Sequence, residues 1–233
     1  LDAALANGEA GMTKLRKKLL SFDVYGTLID VRAGSRAAFA EILADTGRSD
    51  IDPLEFWEYW EAANIRRYRE PYRPYRDICQ ASLTEAFARF GLEGDFGLIK
   101  HYFSAFPTFP RFPDVDEVLE RLGAQHRLAV VSNIDDDLLD ATPLGRRFDL
   151  VCTAERSRGY KPDGTLFRYL LRESGCSVAE LLHCGQSQHT DLVGAKPLGL
   201  TVAWINRRGL PRALTVPEPD FEFRDLRSLL DFV

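Results

Sequence analysis

Apolar and polar residues alternate along this chain in blocks whose period changes. Leu19, Leu20 and Phe22 form a short apolar run after the basic segment Lys14–Lys18, and the run ends at Asp23. Such a run predicts a strand buried on both faces, as parallel sheets require. Ligands collect beyond the carboxyl ends of these strands, which is where Asp23 falls. Gly26 permits a turn that doubles the backbone back over that carboxylate. This stretch leaves two readings of Asp23 side by side: a reactive carboxylate, or a cap of its own turn.

From Ser35 the period becomes helical. Ser35–Thr46 puts Ala38, Phe39, Ile42 and Leu43 on one face and ends near Gly47. Asp52 and Pro53 predict an N-cap and a first helical position. Phe56, Trp57, Trp60, Asn64 and Arg67 then recur at helical spacing. A third helix over Tyr75–Phe90 stops at Gly91, and a shorter one covers Phe96–Phe106. Residues 35–105 show no strand pattern, whereas strand and helix alternate again beyond Pro107. Asp114–Leu122 is an amphipathic helix, and Arg127–Ser132 and Phe148–Thr153 are strands. Leu181–Cys184 is apolar apart from His183 and precedes a polar turn. Leu198–Asn206 reads as the last core strand, Pro211–Pro219 as irregular and Leu226–Val233 as a terminal helix. The pattern predicts an α/β fold, a doubly wound parallel sheet interrupted by an all-helical insertion. Residues 12–34 and 106–233 form the core domain, and 35–105 the insertion.

Composition narrows the function. A chain of 233 residues with 45% hydrophobic and 28% charged residues is of ordinary globular type. The net charge of −5 argues against nucleic acid as the main partner but not against a small anionic substrate, which local cations can hold. No apolar run is long enough to span a bilayer. The single methionine is Met12, which predicts that natural translation starts there and that 1–11 are a tail lacking the features of a signal peptide. Cys79, Cys152, Cys176 and Cys184 are scattered without zinc or redox spacing, as expected of a reduced, cytoplasmic protein. A monomer or homodimer is expected.

Four stretches carry a resemblance. Phe22-Asp23-Val24-Tyr25-Gly26-Thr27-Leu28 resembles the first motif of the haloacid dehalogenase-like hydrolases, in which the aspartate is the attacking nucleophile. The phosphatases of that superfamily place a second aspartate two residues on, as acid for the leaving alcohol. Here that residue is Tyr25, as in the 2-haloacid dehalogenase branch. A halide departs as a stable anion and needs no proton. Ser132-Asn133 resembles the second motif, which holds the substrate's anionic end, although either residue also suits the N-cap of a helix starting at Ile134. The acidic run Asp135-Asp136-Asp137 then occupies that helix's first turn and faces solvent. Lys161-Pro162 resembles the third motif, whose lysine balances the nucleophile's charge. Gly185-Gln186-Ser187-Gln188-His189-Thr190-Asp191 resembles the fourth.

The resemblance implies a Rossmann-like core with a helical cap and an aspartyl-ester intermediate. Asp23, Thr27, Lys161 and Asp191 are its catalytic residues, and no cofactor takes part. Tyr25, Ser132, Asn133, Gln186 and Gln188 line the substrate site. Cap residues Trp60 and Arg67 (or Arg66) would grip a substrate carboxylate, because the family's cap arginine is replaced at the matching places by Trp57-Glu58 or Trp60-Glu61. The family tyrosine six residues after the lysine is Phe167. Gln186 replaces a carboxylate that holds magnesium in the phosphatases, and a neutral amide is a weaker ligand for that hard cation. Dehalogenation of a small 2-haloacid is the leading expectation. A magnesium-dependent phosphatase and a catalytically silent binding protein are the alternatives.

Overall fold

The computed structural model describes residues 15–233, so Met12 and the 1–11 tail lie outside the described residues. In chain order the elements are β1 (Leu19–Phe22), α1 (Val31–Asp45), α2 (Pro53–Arg67), α3 (Tyr75–Phe90) and α4 (Lys100–Ala105). These are followed by α5 (Val115–Gly123), β2 (Arg127–Ser132), α6 (Asp136–Ala141), β3 (Leu150–Thr153), α7 (Ala154–Ser157) and α8 (Thr165–Ser174). The chain closes with β4 (Leu181–Gly185), α9 (Val193–Ala195), β5 (Thr201–Ile205), β6 (Phe221–Phe223) and α10 (Leu229–Phe232).

All six strands run parallel in the order β3-β2-β1-β4-β5-β6. β1 is central, flanked by β2 on one side and β4 on the other, so the strand order reverses at its edge. That reversal opens a crevice at the carboxyl ends of β1, β2 and β4, and Asp23, Ser132 and Gly185 all reach it. Leu20, Phe22 and Leu128 pack on one face with α5 and α10; Leu19, Ala129 and Val131 pack on the other with α8. No described helix is long and apolar enough to cross a membrane.

The helical cap between β1 and β2 has its own core. Phe39, Phe56, Trp60 and Tyr102 are fully buried, with ring centroids 5.0 Å apart for Phe39–Trp60 and 4.8 Å for Trp60–Tyr102. Asp52 caps α2 through the Leu54 amide with Pro53 in its first turn, and Gly91 ends α3 in the left-handed conformation, both as the sequence predicts. The structure revises four expectations. α1 begins at Val31, because Asp30 accepts the Ala33 amide and caps it one turn early. A short edge strand, β6, follows the segment expected to be last. α6 begins at Asp136, so neither Ser132 nor Asn133 caps it. Of the three aspartates, Asp135 is buried and turns away from its own helix.

That aspartate ties the two layers together. The N-cap position of α3 is Pro74, which has no side-chain acceptor for the helix's first amides. Asp135 supplies it from the core, accepting the Tyr75 amide at 2.8 Å and the Arg76 amide at 3.1 Å. Tyr160 adds a second tie, donating to the Arg73 carbonyl at 2.7 Å and stacking on Tyr68 at 4.8 Å. Asp135→Ala leaves two amides without their acceptor. It should destabilise the protein by about 1–3 kcal/mol, read as a fall of roughly 3–10 °C in Tm by scanning calorimetry. An unchanged Tm would show that the tie contributes nothing.

Candidate active site

Three strand ends and one loop build a cavity of about 70 Å³ under the helical cap. That is roughly the space of two or three water molecules, which limits what it encloses to a few heavy atoms. Asp23, at the tip of β1, contributes a carboxylate whose two oxygens have different partners. Oδ1 accepts from Lys161 Nζ at 2.8 Å, and Oδ2 accepts from the Thr27 hydroxyl at 2.8 Å. Thr27 also accepts the Gln186 amide at 2.9 Å, which joins the β1 turn to the loop after β4. Gly26 makes this turn with φ of +92°, and the Gln186 side chain lies where a Cβ at that position would stand.

Lys161 is 1% exposed, and its ammonium meets three acceptors. Besides Asp23 these are Asp191 Oδ1 at 2.7 Å and the Val131 carbonyl at 2.9 Å. Its main chain is held as firmly, because the Asn133 amide donates to the Lys161 carbonyl at 2.9 Å and accepts its N–H at 2.8 Å. Burial alone would lower the Lys161 pKa, but the two carboxylates outweigh it and hold the group above its ordinary value. Burial pushes Asp23 upward; Lys161 offsets part of this, and the Asp191 charge adds to it. Asp191 goes the other way. Burial would raise it, but Lys161 and His183 together bring it well below the usual carboxylate range.

Asp191 stands behind this lysine. It is fully buried and outside the cavity wall, with Oδ1 shared by Lys161 and His183 Nε2 (3.2 Å) and Oδ2 accepting the Ser187 amide at 2.9 Å. Its Nε2 facing Asp191, His183 meets the Ser21 hydroxyl at 3.0 Å through Nδ1. The only signal of His183 and Ser21 in the sequence is that each is a polar residue inside an apolar strand; the structure pairs them in register across β1 and β4. Gly185 makes room for Asp191, since a Cβ there would stand 2.4 Å from its carboxyl group.

The other expected site residues divide into two groups. Tyr25, Ser132, Asn133 and Gln186 line the cavity. The Thr142 hydroxyl gives its proton to the Leu138 carbonyl, so Tyr25 donates to Thr142 Oγ1 at 2.8 Å; burial raises its phenol. Ser132 is 1% exposed, and its hydroxyl has no partner within the protein. Trp60, Arg67 and Gln188, in contrast, are not in this wall. Trp60 is in the cap core, where its indole N–H donates to the Cys79 carbonyl. Arg67 pairs with Glu85 of α3 at 2.7 Å, and Arg66 pairs with the same carboxylate. Gln188 is pinned to Pro211 and Ala213.

Beside Ile65, α2 sends Glu61 into the cavity, at a place where the resemblance leads to the expectation of an arginine. Burial pushes its carboxyl up to about 7; the Asn64 amide offsets a little of this, and the Asp23 charge reinforces it. Lys161 is the only cation among the described residues lining the cavity, and its three protons are committed. The donor set does not suit magnesium. Gln186 is neutral, and both oxygens of Asp191 already have donors. Among the described residues no cluster of His, Cys, Asp and Glu has metal-ligand geometry.

Comparison with known proteins agrees with this geometry. The family profile described as haloacid dehalogenase-like hydrolase matches residues 17–199. An (S)-2-haloacid dehalogenase of Burkholderia cepacia is 30% identical over 218 residues, covering 88% of this chain and 87% of that protein. A pyrimidine 5'-nucleotidase of Streptococcus pneumoniae is 23% identical over 228 residues, covering 92% and 94%. A dehalogenase crystallised with an intermediate complex superposes with a TM-score of 0.78 at 25% identity, covering 92% of this chain and 96% of the other. With an aspartate at the tip of β1, a lysine beside it and a helical cap above, this chain belongs to the haloacid dehalogenase-like hydrolases, on the 2-haloacid dehalogenase side of that superfamily.

Proposed function

We propose that this chain hydrolyses a small 2-haloacid through a covalent ester on Asp23, without a metal ion. The observation that carries the reading is Tyr25. Its hydroxyl is committed to Thr142, so the position that supplies an acid in the superfamily's phosphatases supplies none here. A leaving group that departs as a stable anion suits such a site.

Asp23 attacks the halogen-bearing carbon with the oxygen nearer the substrate. The other oxygen keeps its donor, Thr27 or Lys161, so the negative charge that develops on it when water later adds to Cγ of the ester meets a hydrogen bond. The substrate carboxylate meets the unpartnered Ser132 hydroxyl near the end of β2. Lys161 contributes charge alone, since none of its protons is spare. Asp191, held by His183 and Ser187, positions that lysine.

Asp23→Asn should lower halide release from 2-chloro- and 2-bromopropionate at least about 10⁴-fold, measured by ion chromatography. A single turnover in oxygen-18 water should place the label in the Asp23 carboxylate, read by mass spectrometry of the peptide; an unlabelled Asp23 would exclude the ester. A chelator and added magnesium should each leave the rate unchanged, whereas a phosphatase would respond to both. The nucleophile must be ionised, and burial raises its pKa. The acid limb of kcat/KM should therefore lie above the ordinary carboxylate range, with activity falling as pH drops through it.

A further inference from the structure

Asp23 enters the cavity from the sheet. Back-side attack at a bound carbon therefore drives the leaving atom toward the helical side. That wall consists of Val31 and Ile65, three tyrosines and one carboxyl group, Glu61. Burial raises the phenols of Tyr68, Tyr75 and Tyr102 well above their ordinary value, so they keep their protons. Glu61 alone on this wall exchanges its proton near neutrality.

The charged and titratable groups around Glu61 favour the protonated form. The core presents Asp23, whose charge repels that of Glu61, and Lys161, already shared between Asp23 and Asp191. α3 contributes Cys79, whose thiol burial raises far above neutrality. An outer chamber of about 210 Å³ shares Glu61 with the cavity and adds His189, Arg207 and Arg208. Arg207 is bidentate to Asp114, and Arg208 approaches Glu58 at 3.8 Å.

We propose that Glu61 is the acid of this active site: from the wall facing Asp23 it donates its proton to the atom that leaves. The proposal rests on the reading that Asp23 is the nucleophile and deepens it. As an Asp23 oxygen bonds to carbon, the carbon–leaving-group bond breaks with its electron pair going to the leaving atom, and that atom takes the Glu61 proton. Water then adds to Cγ of the ester. The product's oxygen leaves with its electron pair and takes one of the water's two protons; the other stays on the Asp23 carboxyl and passes to solvent, which restores the carboxylate. Glu61 regains its proton from solvent through the outer chamber. An acid so placed is superfluous for bromide and decisive for a more basic leaving group. The substrate class thereby extends to 2-fluoroacids and to 2-substituted acids that depart through oxygen.

The test compares leaving groups. Glu61→Gln should slow fluoride release from 2-fluoropropionate at least about thirtyfold more than it slows bromide release from 2-bromopropionate. Fluoride release by the parent should fall about tenfold per pH unit above about 7 while bromide release stays level. A second measurement needs no turnover. The carbon-13 carboxyl resonance that is lost in Glu61→Gln should titrate near 7 in the parent. It should move up by about one pH unit or more when 2-methoxypropionate, an unreactive ether with oxygen at the leaving position, is added. That shift without turnover of any haloacid would overturn the dehalogenase reading and leave Glu61 as the acid. Equal fluoride release by parent and variant, or a Glu61 resonance that ignores the ether, would overturn the acid.

Discussion

The site depends on one ammonium group shared by two carboxylates. Lys161 bridges Asp23 and Asp191 at 2.8 and 2.7 Å in an interior where none of the three would be tolerated alone. Two buried carboxylates without the lysine would repel each other, and a buried lysine without them would lose its proton. Each group is thus a condition for the charge on the others. The three come from the end of β1, the loop before α8 and the turn after β4, so the charge balance also fixes how three separate segments meet. Asn133 clamps the lysine's backbone, Gly185 leaves space for Asp191, and His183 with Ser21 continues the hydrogen bonds into the sheet. Asp23, Lys161 and Asn133 face the cavity, while Asp191, His183 and Ser21 stand behind it.

Much of this was legible in the sequence, for physical reasons that differ from residue to residue. Asp23, Lys161 and Asp191 were visible because a strand end, a lysine before proline and a glycine turn each leave a local mark. Pro53 and Gly91 marked helix ends because each suits one backbone conformation. Failures came where the answer depends on helix rotation. The period of α2 put Trp60 and Arg67 on one stripe and Glu61 off it, but did not say which side meets the sheet. Trp60 went to the cap core, Arg67 to Glu85, and the acid between them to the cavity. Asp135 reads locally as a solvent-facing residue of its own helix because its partners are 60 and 59 residues away in the chain, and a long-range cap has no local pattern. His183 looked like an ordinary strand residue because the hydrogen bond that gives it meaning lies across the sheet.

The cap and the core therefore meet through one apolar cluster, reaching from Phe39 and Trp60 to Val24, Val130 and Ile134, with polar ties at its edges and a small cavity within. Asp135 and Tyr160 anchor the region around the start of α3, where the cap approaches the loops after β2 and β3. Near the opening, Arg207 joins the last core loop to Asp114 and donates to the Thr27 carbonyl at 2.9 Å, which steadies the turn that carries Asp23.

Along α2, Trp57, Glu61, Ile65 and, just past its end, Tyr68 form one stripe lining the cavity or its outer chamber, while none of the residues that touch Lys161 belongs to that helix. The enclosure and the nucleophile's charge balance are thereby inherited on separate segments. Exchanges along the stripe can retune what the enclosure admits without disturbing the charge balance beneath it. Diversification of a lineage on this scaffold would then be written in Trp57, Ile65 and Tyr68, with the nucleophile and its charge balance carried along unchanged.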